Sequence, residues 1–255
     1  MLTATLMRYL PAGVLLLGAV GAWQALASIP SVDDLTLASP AEVARAFVED
    51  RSLLASNAAV TLVEVMLGLM IAVVAGVGAA VCMHMVRPLR EAAYPLLIAS
   101  QAVPIVVLAP LLVLAFDYGI GPKVAIVALI CFFPLTVNVV DGLRAVEPDL
   151  HKLMRSLGAS RLATLWKVEL PSSRPAFFSG LRVAATVSVI GAVFGEWAGA
   201  EKGLGRLVLL GNNQLQTPRV YAGVVILTLM AIGLFGIVGL AERFAVPWQR
   251  QGDSA

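Results

Sequence analysis

Few residues in this 255-residue chain are equipped for covalent chemistry. It has two histidines, His84 and His151, and two cysteines, Cys82 and Cys131. The histidines have no ligand-like spacing to cysteines or carboxylates, so no metal centre is expected. Both cysteines sit in apolar runs and read as small buried hydrophobes, not as a disulfide pair. The spans contain no Ser/His, paired-Asp or HExxH constellation, which argues against an intramembrane enzyme. No G-x-x-x-x-G-K-[ST] phosphate loop is present, so the chain is not expected to hydrolyse ATP itself. "GAEKGLGR" has the glycines but not the Lys-Ser/Thr pair, and reads as a turn. No cofactor is expected.

The chemistry on offer is that of docking. Around "LMRSLGASRLATLWKVELPSSRPAFFSGLR" (153–182), Leu150, Leu153, Met154 and Leu157 recur at i, i+3, i+4 and i+7. That spacing makes one apolar stripe on a helix. His151, Lys152, Arg155 and Ser156 fall elsewhere on the wheel. Gly158 stops the helix as a C-terminal glycine does. Leu162, Leu165, Trp166 and Glu169 form a second short helix, which Leu170-Pro171 is expected to end. Such a segment suits a membrane surface, a solvated loop, or a groove on a cytosolic partner.

A second set of residues has the chemistry of a polar pathway. Ionisable groups in or at the ends of apolar spans are functional candidates. Here they are Glu64, Glu196 and Asp117, with the uncharged Gln101, Asn138, Thr186 and Ser188 inside spans. Gln214 and Asn212 sit in a short amphipathic stretch after Glu196 and are candidates for an external gate. Ordinary interhelical hydrogen bonds compete as the explanation for each. Trp197 suits an interfacial belt.

The elements that must position these residues are helices in a membrane. The chain is 59% hydrophobic and 13% charged, against roughly 25% charged in soluble domains. Its mean hydropathy is +0.89. Apolar runs at 9–29, 63–86, 92–116, 123–140, 177–194 and 221–241 approach or exceed the ~20 residues that cross a bilayer. The expectation is an all-α polytopic membrane protein of about six transmembrane helices. Most of the 18 Lys and Arg residues then fall on the side that holds the termini, so both termini are expected to be cytoplasmic. Arg182 snorkels toward that side. The chain then divides into three segments: 1–57 with the first helix and an external stretch, a core at 58–245 containing a cytoplasmic loop at 141–174, and a tail at 246–255. In "SPAEVARAFVED", Ser39, Pro40 and Glu42 are the start signal of a surface helix. Gly68, Gly76 and Gly78 in the second run, and Gly233, Gly236 and Gly239 in the sixth, suggest close helix packing. Pro104, Pro110 and Pro134 are expected to kink the third and fourth spans, along a water-lined path or within packed helices.

From Gly158 the sequence runs nine residues to Val168, then Glu169-Leu170-Pro171. This resembles the EAA loop of permease subunits of ATP-binding-cassette importers, in a form similar to permeases for alkanesulfonates, taurine, nitrate and thiamine precursors. "SPAEV", "VPIVVLAPLLVLAFDYGIG" and "GLGRL" are similar to the same subfamily, so the resemblance covers nearly the whole chain. It implies a type I importer permease fold in the bacterial inner membrane. The implied partners are a cytosolic ATP-binding subunit, an extracytoplasmic solute-binding protein and a second copy of the chain, with no nucleic acid. The implied docking loop comprises Leu150, Leu153, Met154, Leu157, Gly158, Ala159, Val168, Leu170 and Pro171. One departure stands out: Lys152-Leu153-Met154 replaces Glu-Ala-Ala.

"GEWAG" and "NNQLQTPRVYAG" look more like permeases for the thiamine pyrimidine precursor or riboflavin. A path lined by amides and hydroxyls also suits a neutral polar heterocycle. A sulfonate, taurine or nitrate would favour an arginine or a helix N-terminus in the path. A secondary transporter or channel is the competing class, but the spans lack a dense set of acids and no inverted repeat is visible.

Overall fold

The computed structural model of the chain describes residues 2–29 and 37–247. Every regular element among them is helical. In chain order these are α1 (Leu2–Ala27), α2 (Pro40–Glu49), α3 (Arg51–Met85), α4 (Arg87–Ser100), α5 (Ile105–Phe116), α6 (Ile120–Arg144), α7 (Pro148–Ser156) and α8 (Arg161–Thr164). A π-helical turn (Leu165–Glu169), α9 (Leu170–Ser172), α10 (Arg174–Gly199), α11 (Leu204–Asn213) and α12 (Thr217–Ala245) complete the chain. Part of the expected external stretch, 30–36, and most of the expected tail, 248–255, lie outside the described residues.

Among the described residues, four helices, α3, α6, α10 and α12, are long and apolar enough to cross a membrane. The expected third span is not continuous. It is the pair α4 and α5, bent by 102° across a short break. Pro104 does not kink a helix there; it is the extended residue that precedes α5. Counted as one span, the pair brings the total to five. The expected first span falls on α1, whose apolar part among the described residues, Gly13–Ala27, is shorter than a crossing helix.

The bundle is built on α6 and α10. In each, 44% of the apolar window is buried, against 11% in α12. Lipid is as apolar as leucine, so close packing replaces hydrophobic burial as the adhesive, and small residues permit it. A side chain at Gly68 would collide with Val127, and one at Gly76 would crowd Thr136 and Leu135. Gly180 sits against Asn138 and Pro134, and Gly191 against the Val127 backbone. Small side chains fill the seam between them: Ala72, Cys131, Ala184, Ala185 and Ala192. The glycine reading holds for α3 at Gly68 and Gly76 but not at Gly78. In α12, a side chain at Gly233 or Gly236 would meet nothing within 4 Å among the described residues, and one at Gly239 would meet the Arg182 guanidinium.

At one end of the bundle, α2 starts as its sequence dictates. Ser39 accepts from the Glu42 N–H, and the Glu42 carboxylate accepts from the Ser39 N–H at 2.7 Å. Trp23 donates to the Ala38 carbonyl at 3.0 Å and stacks on Tyr221, which joins α1, α2 and α12.

At the other end, Gly158 closes α7 in a Schellman turn. Its φ is +71°, the Ala159 N–H donates to the Met154 carbonyl and the Gly158 N–H to the Arg155 carbonyl, both at 3.0 Å. Leu170-Pro171, expected to end the next helix, does not. Proline has no N–H and its ring crowds the carbonyl four residues back, here that of Lys167. The helix answers by widening: the Leu170 N–H reaches back to the Leu165 carbonyl. The π turn carries the chain through α9 into α10 with only Ser173 between them.

Candidate functional site

The docking stripe is built on α7. None of the residues of this helix is buried. Leu150, Leu153 and Leu157 are 36%, 54% and 71% exposed, and beyond the Gly158 turn Leu162 and Trp166 are 59% and 69% exposed. Met154 and Ala159 are half-buried. A cluster of large apolar side chains thus stands uncovered at one end of the molecule. Lys152, at the first EAA position, pairs within the helix with Asp149 at 2.8 Å. Val168, Leu170 and Pro171 are half-buried. Leu170 and Pro171 line a largely apolar groove of about 490 Å3 with Val77, Val139, Trp166 and Phe177.

Behind the stripe is a polar cluster that the sequence did not suggest. Glu169, in the π turn, is buried. Its Oε1 meets His151 Nε2 of α7 at 2.8 Å, and its Oε2 meets His84 Nε2 of α3 at 3.0 Å. Arg161 donates to the His84 carbonyl at 3.1 Å. The two histidines, unconnected by spacing in the sequence, share one carboxylate. The available signal was a lone acid, Glu169, in a basic segment that also holds His151.

At the far end of the bundle the structure brings Glu64 and Glu196 into one buried cluster. Glu196 is fully buried and accepts three hydrogen bonds: from Thr61 Oγ1 at 2.6 Å, the Gly205 N–H at 2.5 Å and the Arg206 N–H at 3.1 Å. The last two are donors of the first turn of α11, where a carboxylate is favoured by the free N–H groups and the helix dipole. Thr61 in turn accepts from the Leu204 N–H at 2.8 Å, and Asn57 Oδ1 from the Gly203 N–H at 2.7 Å. Glu64 is paired with Lys123 Nζ of α6 at 3.2 Å. These two acids therefore anchor α11 and the ends of α3 and α6 to each other.

The remaining pathway candidates do not join that cluster. Gln101 is exposed in the break between α4 and α5. Asn138 donates to the Pro134 carbonyl at 2.7 Å, Thr186 to the Arg182 carbonyl at 3.0 Å, and Ser188 to the Ala185 carbonyl at 2.7 Å. All three bonds stay within one helix. Gln214 lines a cavity of about 460 Å3 with Asn57, Lys202, Arg206, Gln216 and Arg219. Asn212 and Asp117 are exposed. Trp197 donates to the Gly205 carbonyl at 2.9 Å and so also serves the α11 anchor. Arg182, an arginine that could have met an anionic substrate, is paired with Glu242 of α12 and lies 5.5 Å from the centre of the Phe235 ring.

An all-helical bundle with an uncovered amphipathic loop of this kind finds its match in sequence. Residues 68–250 match the model of the family described as binding-protein-dependent transport system inner membrane component. The chain belongs to this family. The permease is 36% identical over 216 residues to the formylaminopyrimidine transport permease protein ThiX of Halalkalibacterium halodurans, covering 84% of this chain and 86% of that one. It is 36% identical over 164 residues to the riboflavin transport system permease protein RibX of Chloroflexus aurantiacus, covering 64% and 61%. To the taurine transport system permease protein TauC of Escherichia coli it is 31% identical over 191 residues, covering 74% and 69%. Among solved structures, an amino acid ABC transporter superposes with a TM-score of 0.52 at 22% identity, covering 78% of this chain and 96% of the other. The permease is thus an inner-membrane component of an ABC transport system, and its several apolar helices are membrane spans.

Proposed function

We propose that the permease forms the membrane pathway of an ATP-driven importer for a small, polar, uncharged or weakly charged heterocycle of the formylaminopyrimidine type. The observation that carries the machine is the uncovered stripe of Leu150, Leu153 and Leu157 on α7, closed by Gly158. An exposed apolar patch of this kind in a family of transport components is a protein-interaction surface. Its partner is a cytosolic ATP-binding subunit with an apolar cleft. ATP-driven closure of two such subunits moves α7, and the bundle switches between inward and outward access. Two copies of the permease enclose the pathway, both termini face the cytoplasm, and an extracytoplasmic binding protein delivers solute at the α11 end. The ATPase activity resides in the partner, since the sequence has no phosphate loop.

The substrate class is supported by the likeness to ThiX and RibX. It is also supported by the engagement of Arg182 with Glu242, which removes a free cation that a sulfonate would use. Uptake of labelled formylaminopyrimidine is measured in cells with and without the gene, with riboflavin and taurine in parallel. Loss of pyrimidine uptake alone is expected. Loss of taurine uptake alone would keep the importer and refute the heterocycle. In the same cells, Leu153→Asp with Leu157→Asp is expected to release the ATP-binding subunit from the membrane.

A further inference from the structure

The α7 helix has little to hold it. It buries none of its residues, and the apolar cluster nearest to it, built from Ala80, Met83, Val140, Leu143 and Leu165, includes no residue of α7. It is flanked by the turn before Pro148 and by the Gly158 turn. A helix pushed from outside on such flanks would swing without moving the spans. The contact that ties it to them is polar: His151 on Glu169, and Glu169 on His84 in the last turns of α3.

Both oxygens of the Glu169 carboxylate are engaged. His151 Nδ1 lies 3.2 Å from the Glu147 carbonyl and its Nε2 faces Glu169, so both ring nitrogens meet acceptors. His84 Nδ1 is buried with no partner among the described residues, and its Nε2 faces the Glu169 carboxylate, an acceptor, so the proton sits on Nε2. One carboxylate thus receives two N–H donors from two different elements. The π turn makes this possible. An extra residue in a turn rotates the rest of the helix by about 100°. That rotation leaves Trp166 and Lys167 outside while Glu169 points into the bundle. Single π turns recur at functional sites.

We propose that His84, Glu169 and His151 are positioning residues for energy coupling. They clamp α7 to the end of α3 and, through the π turn and α9, to the start of α10. A displacement imposed on α7 by the ATP-binding subunit is then delivered to two spans at once instead of being absorbed at the Gly158 turn. This rests on the reading of the chain as an ATP-driven permease.

The test uses the complex of permease, ATP-binding subunit and binding protein in proteoliposomes, and reads solute moved per ATP hydrolysed. Glu169→Gln keeps the shape and removes the charge. It is expected to retain the ATP-binding subunit, because the apolar stripe is intact, and to lower solute per ATP by roughly tenfold, the scale of coupling changes in such networks. His84→Gln and His151→Gln are expected to lower it too, and neither should lower it further when added to Glu169→Gln. A purely stabilising role would reduce the amount of complex and leave the ratio unchanged. Should Glu169→Gln fail to assemble, His151→Gln, at a partly exposed position, carries the test alone. An unchanged ratio in whichever variants assemble overturns the clamp. A wild-type permease that binds no ATP-binding subunit would refute the importer reading, and this inference with it.

Discussion

Glu196 is a carboxylate buried among helices, and it is tolerable only because three donors converge on it. Its neighbour Gly203 is the residue that cannot change. Gly203 has φ +129°, and a Cβ there would lie on the Glu196 carboxyl. Gly203→Ala should displace the carboxylate from its donors. We expect a loss on the order of 3 kcal/mol in unfolding from detergent, the cost of stranding a buried charge. Lys123→Met should cost about as much, since it leaves Glu64 buried without its cation; the double variant Lys123→Met, Glu64→Leu should recover most of the loss. A Lys123→Met protein as stable as the parent would show that Glu64 needs no counter-charge. Glu64 and Glu196 were legible in the sequence as acids at span ends. Their roles were not, because Thr61 reaches Glu196 and Lys123 reaches Glu64 from other helices, and nothing in a linear pattern states which helices touch. Arg182 likewise reads in the sequence as snorkelling, and its pairing with Glu242 of α12 appears only in the fold.

Elements were legible where the signal is local. The Ser39-Pro40-Glu42 start of α2 depends on residues three apart, and it forms as written. Ser39→Ala should cost about 1 kcal/mol of local stability, read as roughly fivefold faster hydrogen exchange across α2. The effect should depend on pH. The Ser39 N–H and hydroxyl hold the Glu42 carboxyl below its ordinary value of 4.5. A lowered folded value contributes stability that is fully present above the unfolded value and lost as pH falls through the folded one. The Glu42 contribution should therefore be constant near neutrality and fade below pH 4.5. A penalty for Glu42→Gln that is the same at neutral pH and in acid would contradict the box. The Gly158 turn was legible on the same ground. Gly158 has open space around it, so its constraint is conformational alone. Gly158→Asn should be tolerated, and Gly158→Val should lose at least the ~1–2 kcal/mol of left-handed strain, seen as a lower melting temperature. The π turn was not legible. Leu170-Pro171 reads as a stop by local rules, but the helix runs on because buried Leu165 and Glu169 hold the widened turn in the bundle.

At the scale of the molecule, hydropathy located the apolar runs but was blind to the break at Gln101–Pro104, because an apolar window reports composition and not direction. The break bears on how the permease sits in the membrane. Residues 101–104 are all exposed in the single chain, and their backbone is outside any helix. Irregular backbone at membrane depth is not tolerated against lipid; it survives only where protein covers it or water reaches it. The N–H groups of 101–103 bond within the turn, but regular helical pairing is broken there, so we expect the α4–α5 face to meet a second protein surface or an aqueous path. The exposed face of α12 is one continuous helix and can meet lipid. Cysteine scanning separates the two faces. With exposed Cys82 replaced by serine and buried Cys131 retained, Gln101→Cys in the assembled transporter should react with a charged, membrane-impermeant maleimide. The rate should be on the order of tenfold above that of Leu229→Cys on α12, because the thiolate that reacts exists only in water. ATP with vanadate should change the rate at Gln101 and not at Leu229 if the break lines the pathway. Cross-linking of Gln101→Cys between two copies, without maleimide reaction, would assign this face to the contact between permeases instead. A thiol at Gln101 that neither reacts nor cross-links would place lipid against the break and refute the pathway.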